Sequence, residues 1–320
     1  MADNAGPRRA EGVVVGIDIG GTKTALLATD VATGHDLATD RFTTPAEAGP
    51  DAMLDQLAEA IATLLSTAGR QPEELAAVGV AVPGLVDSRN GRVKVAGNLK
   101  GWTDLPLRDL LDRRLGVSVY VDQDADVAAL GEKWRGCARQ MNNFVFLALG
   151  TGVGAGIVVN GRLHRGFHDA AGELGNLVIG REFLGEERGG VGNLAALVGG
   201  KTIRAKAKEA AGKELSAADA LERADDAELG PIADEVVDYV AMTVIAIAAI
   251  LDPEAIVFGG GTAEAGARLV EPVRARIAGE LPAPPALVHA VLGADAQLHG
   301  AVFGALWQLD PDLALREEHR

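Results

Sequence analysis

Residues 14–24, Val-Val-Gly-Ile-Asp-Ile-Gly-Gly-Thr-Lys-Thr, run an apolar stretch straight into an aspartate, two glycines, a threonine and a lysine. A backbone of this kind can hold phosphate. Gly20 and Gly21 admit the positive φ that lets main-chain N–H groups approach an anion, while Thr22 and Lys23 add a hydroxyl and a cation. Asp18, at the strand end, is placed to hold Mg²⁺ through water. A plain β-hairpin turn between strands at 13–19 and 24–30 accounts for the same residues without a ligand. Two further stretches repeat the pattern: Gly150, Thr151, Gly152 and Gly154 follow one apolar run, and Gly259, Gly260 and Gly261 follow another. Three such junctions point to a nucleotide touched by loops from two lobes. None fits the P-loop spacing G-x-x-x-x-G-K-[ST], and none opens a βαβ unit with G-x-G-x-x-G.

An acceptor hydroxyl also needs a base. The segment Tyr120-Val121-Asp122-Gln123-Asp124-Ala125-Asp126 delivers three carboxylates from a strand into a helix start. A carboxylate there can cap free N–H groups, or it can be held within hydrogen-bond reach of a substrate hydroxyl. Spacing alone leaves both open.

The elements that must position these groups are an α/β lobe followed by a second one. The pattern predicts strands at 12–19, 24–30, 36–42 and 75–82 and a helix at 51–69. A loop at 87–103, a helix at 104–115, a strand at 117–121 and a helix from Asp124 to about Arg135 follow. The second series has strands at 143–149, 153–159, 255–258 and 286–291 and an irregular segment at 166–194. Its helices fall at 199–210, 216–224, 229–251, 263–279 and 297–309. Each series opens with a hairpin and a Gly-Thr turn, as an internal duplication would. Residues 1–11 read as a loose tail without the apolar core of a signal peptide, and the run Tyr239–Leu251 is too short to cross a bilayer.

With 320 residues and a net charge of −15, the chain can build two cores and is a poor partner for nucleic acid or anionic membranes. The single cysteine, Cys137, excludes an intrachain disulfide and reads as a buried thiol in a reducing, cytoplasmic protein. His164 and His168 read as loop histidines rather than a metal pair, since no third ligand is evident.

From about Val13 to Trp307 the sequence resembles the ROK family of sugar kinases, a branch of the actin-like, hexokinase-like ATPases. The stretches that carry the likeness are VGIDIGGTKTALLATD, VGVAVPGLVDSRNGRVKVAGNLKGWTDLPL, VYVDQDADVAALGE, FLALGTGVGAGIVVNGRLHRGFHDAAGELG, LDPEAIVFGGG and LGADAQLHGAVFGALW. The resemblance implies an α/β, two-lobed, ribonuclease H-like fold whose duplicated domains enclose a cleft for sugar and MgATP. The small lobe would comprise 12–123 with about 297–320, and the large lobe 124–296. It implies that Asp124 is the catalytic base, that Asn98 and Glu173 contact sugar, that Gly84 lines the sugar pocket, and that the three glycine loops bind the nucleotide. Homodimers, common in the family, are among the assemblies it admits.

Departures from the family pattern bear on the same site. Gln123 stands where asparagine is usual, and Asn176 stands where the family has a histidine that contacts sugar and joins three cysteines around zinc. The cysteines are missing too, so the expectation is ATP and Mg²⁺ without zinc, with the loop held by Phe183, Leu184, Val191 and Leu194. A second sugar-contacting glutamate aligns with Ala195, which leaves Asn176, or Glu186 and Glu187, to compensate. The leading expectation is phosphorylation of the 6-hydroxyl of glucose or a related hexose. The alternatives are an amino-sugar, mannose-type or polyol kinase, a polyphosphate donor, and a non-catalytic sugar-binding regulator.

Overall fold

The computed structural model describes residues 11–185 and 192–310. The expected tail, apart from Glu11, falls outside these residues, as do Glu186, Glu187 and Val191. The chain divides into two compact units: residues up to Arg135 together with those from Asp295 onward, and Gly136–Ala294.

The first unit begins with β1 (Val13–Ile19), β2 (Lys23–Asp30) and β3 (Asp36–Thr43), an antiparallel meander, and then α1 (Pro50–Thr67) and β4 (Leu75–Val82). Three short strands follow, β5 (Leu85–Asp87), β6 (Arg92–Val95) and β7 (Thr103–Leu105), then α2 (Leu107–Leu115), β8 (Ser118–Gln123) and α3 (Asp124–Trp134). The main sheet has the order β3-β2-β1-β4-β8, with β1, β4 and β8 parallel. The expected loop at 87–103 carries the middle strand, β6, of a small antiparallel sheet, β5-β6-β7, and is turns elsewhere between its strands.

The second unit contains β9 (Phe144–Leu149), β10 (Val153–Val159), β11 (Arg162–Leu163), α4 (Asn193–Val198), α5 (Gly200–Ala211), α6 (Ala217–Glu222) and α7 (Gly230–Leu251). It closes with β12 (Ala255–Gly259), α8 (Ala267–Ile277) and β13 (Ala286–His289). Its sheet order, β11-β10-β9-β12-β13, repeats that of the first unit strand for strand, again a three-stranded meander joined to parallel neighbours. The duplication read from the turns is therefore present in the sheets. The final helix α9 (Ala296–Leu309) returns to the first unit.

That helix decides the architecture around Asp18. Val13, Val15, Ile17 and Ile19 pack with α1 and α2 residues on one face of the sheet, while Val14 packs with Val302, Phe303 and Leu306 on the other. β1 is buried on both faces, which is why it reads as a continuous apolar run. Gly16 and its cross-strand partner Gly79 let the α9 backbone lie on the sheet: a Cβ on Gly79 would stand 1.8 Å from the Ala301 carbonyl oxygen. Gly300 does the same against α3, 1.7 Å from the Val127 oxygen. α3 thus belongs to the first unit, although the sequence reading placed it at the head of the larger lobe.

Candidate functional site

In the first unit the parallel strands β1, β4 and β8 end together, the edge of an α/β sheet where ligands bind. Arg41, Ala25, Asp18, Ala81 and Asp122 form one cross-strand row there. Asp122 is buried, accepts a hydrogen bond from the Tyr120 hydroxyl at 2.6 Å and one from the Gln123 amide at 2.9 Å, and so fixes the strand end. Gln123 is the N-cap of α3, and Asp124 is its first residue, with Oδ1 accepting from the Ala125 amide at 2.7 Å. Asp124 therefore does not occupy the cap position itself.

Burial, followed by the neighbouring Asp124 charge, raises the Asp18 carboxyl to about 7, against a smaller downward pull from Arg41. Two carboxylates so close that one suppresses ionisation of the other form a site short of positive charge. A divalent cation fits that deficit. Arg41 is occupied elsewhere, paired with Asp295 at 2.9 Å.

The first glycine loop closes the β1–β2 hairpin, with the Gly20 amide donating to the Lys23 oxygen at 3.0 Å. These residues therefore form a hairpin turn. Thr22 and Lys23 are exposed. Asn98 lies against this loop: a Cβ on Gly21 would be 3.1 Å from the Asn98 Cβ. Gly84, at φ 91°, presses the β4–β5 turn onto β6, where a side chain would meet the Val95 oxygen at 2.1 Å. Asp18, Gly21, Gly84, Asn98, Gln123 and Asp124 are thus gathered at one end of the first unit.

The second unit assembles its own glycine loops. The Gly150 amide donates to the Gly152 oxygen at 3.0 Å across the β9–β10 turn, and the Thr262 amide donates to the Leu149 oxygen at 2.8 Å. Gly260, at φ 88°, sits where a Cβ would be 2.6 Å from that same Leu149 oxygen, so the loops of Gly150–Gly154 and Gly259–Gly261 are in contact. The first amides of α5 hold the turn in place, Gly200 donating to the Gly150 oxygen at 2.8 Å and Lys201 to the Thr151 oxygen at 3.4 Å. Sequence reasoning missed this support, because α5 lies some fifty residues downstream and carries no motif.

Glu173 stands at the start of a short turn over Leu174–Asn176. Gly172 docks that turn onto β10, at φ 89° and with space for no side chain, since a Cβ would lie 1.9 Å from the Ala155 oxygen. Glu173 is thereby fixed beside the second glycine loop. Asn176 is exposed, and Ala195 lies next to Gly175. Phe183 stacks edge-on against Tyr239 and Leu194 is buried, as expected for the loop, but Leu184 is 75% exposed and adds no packing. His168 stacks on Phe167. No group of three or more metal-ligating side chains occurs among the described residues. Cys137 is only partly buried, contrary to the sequence reading.

The sequence pattern of the ROK family matches residues 14–309. The chain belongs to the ROK family. The glucokinase of Thermotoga maritima is 33% identical over 282 residues, which span 82% of this chain and 86% of that protein. A ROK glucokinase from Streptomyces griseus, solved in complex with glucose and AMPPNP, is 28% identical and superposes with a TM-score of 0.78 over 92% of this chain and 99% of its own. The xylose repressor of Bacillus subtilis is 28% identical over 168 residues, 52% of this chain and 43% of the repressor. The chain is accordingly an α/β protein of the actin-like ATPase fold and a relative of sugar kinases, within a family that also holds repressors.

Proposed function

We propose that the chain is a cytoplasmic enzyme that transfers the γ-phosphoryl group of ATP to a sugar hydroxyl, foremost the 6-hydroxyl of glucose or a related hexose. The observation that carries this reading is the pair Asp18 and Asp124 beside the first glycine loop and Asn98. Asp124 takes the proton as the sugar oxygen bonds to the γ-phosphorus and the bond to the ADP oxygen breaks. Asp18 would hold Mg²⁺ through water, and the ion would neutralise charge on the phosphates. The sugar contacts are assigned to Gly84, Asn98, Gln123, Glu173 and Asn176, the positions that the family pattern marks. Gly20, Gly21, Thr22, Lys23, Gly150, Thr151, Gly152, Gly154, Gly259, Gly260 and Gly261 receive the nucleotide. Phosphoryl transfer is mostly positioning and charge neutralisation, which suits a site of backbone amides with one base.

The likeness to xylose repressors supports a second reading, a sugar-binding regulator without turnover. Coupled ADP release, measured with MgATP over a panel of hexoses, N-acetylhexosamines and polyols, separates the two. Hexose-dependent ADP formation supports the kinase, and sugar binding without ADP from any acceptor supports the regulator. Turnover with polyphosphate but not ATP would replace the donor alone.

A further inference from the structure

α5 carries four cations in eight residues, Lys201, Arg204, Lys206 and Lys208, in a chain of net charge −15. The two nearer its C-terminal end are paired, Lys206 with Glu235 and Lys208 with Glu214, both at 2.5 Å. The two in its first turns, Lys201 and Arg204, are exposed and have no carboxylate partner among the described residues. A helix N-terminus is the positive end of the dipole, so cations there are disfavoured unless an anion joins them. The amides that could have served an anion directly are already spent on the Gly150 and Thr151 carbonyls. Those bonds tie the Lys201 backbone to Thr151 of the second glycine loop. That loop, unlike the first with its Lys23, has no cation in its own sequence.

A second group converges on the same place. Thr262 is only 2% exposed, and its Oγ1 has no hydrogen-bond partner among the described residues. It faces the start of α5, 3.2 Å from where a Cβ on Gly200 would stand. A buried hydroxyl left unpaired costs stability, which a ligand oxygen would recover.

We infer that Lys201, seconded by the Thr262 hydroxyl, is a phosphate-binding residue of the nucleotide site and supplies the cation that the Gly150–Gly154 loop lacks. The inference rests on the nucleotide reading of that loop given above. Its ligand is the phosphate chain of the nucleoside di- or triphosphate, not the base or the sugar substrate.

The test is calorimetric titration of the full chain with MgADP and, separately, with adenosine. Lys201→Met is expected to weaken MgADP binding about tenfold, the loss of one charge-assisted contact, and to leave adenosine binding unchanged. Lys201→Arg should restore MgADP affinity to within about threefold, and the tenfold gap should shrink in 1 M salt, which screens exposed charge. Thr262→Val, which keeps the shape, should fold normally and lose a few-fold in MgADP affinity. Lys208→Met, at the far end of the helix, should bind as the parent does. A Lys201→Met chain that matches the parent for MgADP, or loses adenosine equally, overturns the assignment of Lys201. A parent that binds no MgADP overturns the nucleotide reading and the inference together.

Discussion

Replacing Asp18 with asparagine tests the electrostatics of the site without any substrate. The carboxyl is raised from 3.8 to about 7, first by burial and then by the Asp124 charge. That displacement corresponds to roughly 4 kcal/mol of cost to the folded state once the group ionises. Asp18 keeps some contact with solvent, so about 2–4 kcal/mol is the expected range. The sign follows from proton counting. Below about pH 3.8 both states are protonated and nothing is lost. Between 3.8 and about 7 the unfolded chain gives up its proton first, the folded chain binds more, and stability falls as pH rises. Above about 7 the cost is complete. Asparagine is neutral throughout, so Asp18→Asn should be the more stable protein, by an amount about twice as large at pH 8.5 as at pH 5.5. For units of this size the gain at pH 8.5 corresponds to a melting temperature higher by roughly 5–15 °C. Paired thermal melts at the two pH values read it directly. Millimolar Mg²⁺ should narrow the gap by stabilising the parent alone. Equal melting of parent and variant, or a gap that does not grow with pH, would refute the argument that burial and Asp124 hold this carboxyl protonated.

The remaining expectations concern packing and the acceptor. Gly300→Ala sets a methyl 1.7 Å from the Val127 carbonyl oxygen and must part α9 from α3, so a loss of about 3 kcal/mol or more is expected in denaturant titrations; Gly97→Ala, with nothing within 4 Å, should be nearly silent. Glu173→Ala should raise the sugar KM tenfold or more with little change in the KM for MgATP, and a silent substitution would remove Glu173 from the sugar site.

Much of this was legible in the sequence because the signals were local. β1, β2 and β9 are largely apolar runs that end in aspartate or run into glycine, β4 is one that runs into Pro83-Gly84, and the structure places all four within a residue of the pattern. The strands β5 to β7 were not, because Val86, Arg92, Lys94 and Asp104 mix polar and apolar types over three or four residues and pair only through the fold. The membership of α3 was hidden for another reason. Its attachment depends on Gly131 and Gly300, where the absence of side chains makes the contact, and small residues leave no periodic signal. Asp18 and Asp124 could each be picked out as chemical groups, but the effect of the Asp124 charge on the buried Asp18 carboxyl is visible only once β1 and β8 end on the same edge. The role of α5 was invisible for lack of a motif. Its first amides act through backbone bonds to Gly150 and Thr151, which any residue type could make.

Turnover of Asp124→Asn, measured by coupled ADP release at saturating glucose and MgATP beside calorimetric binding of each ligand, tests the catalytic claim most directly. Binding is expected within a few-fold of the parent and kcat lower by roughly 10²–10⁴, because the amide keeps the shape and cannot take the proton. A kcat near that of the parent would contradict the claim.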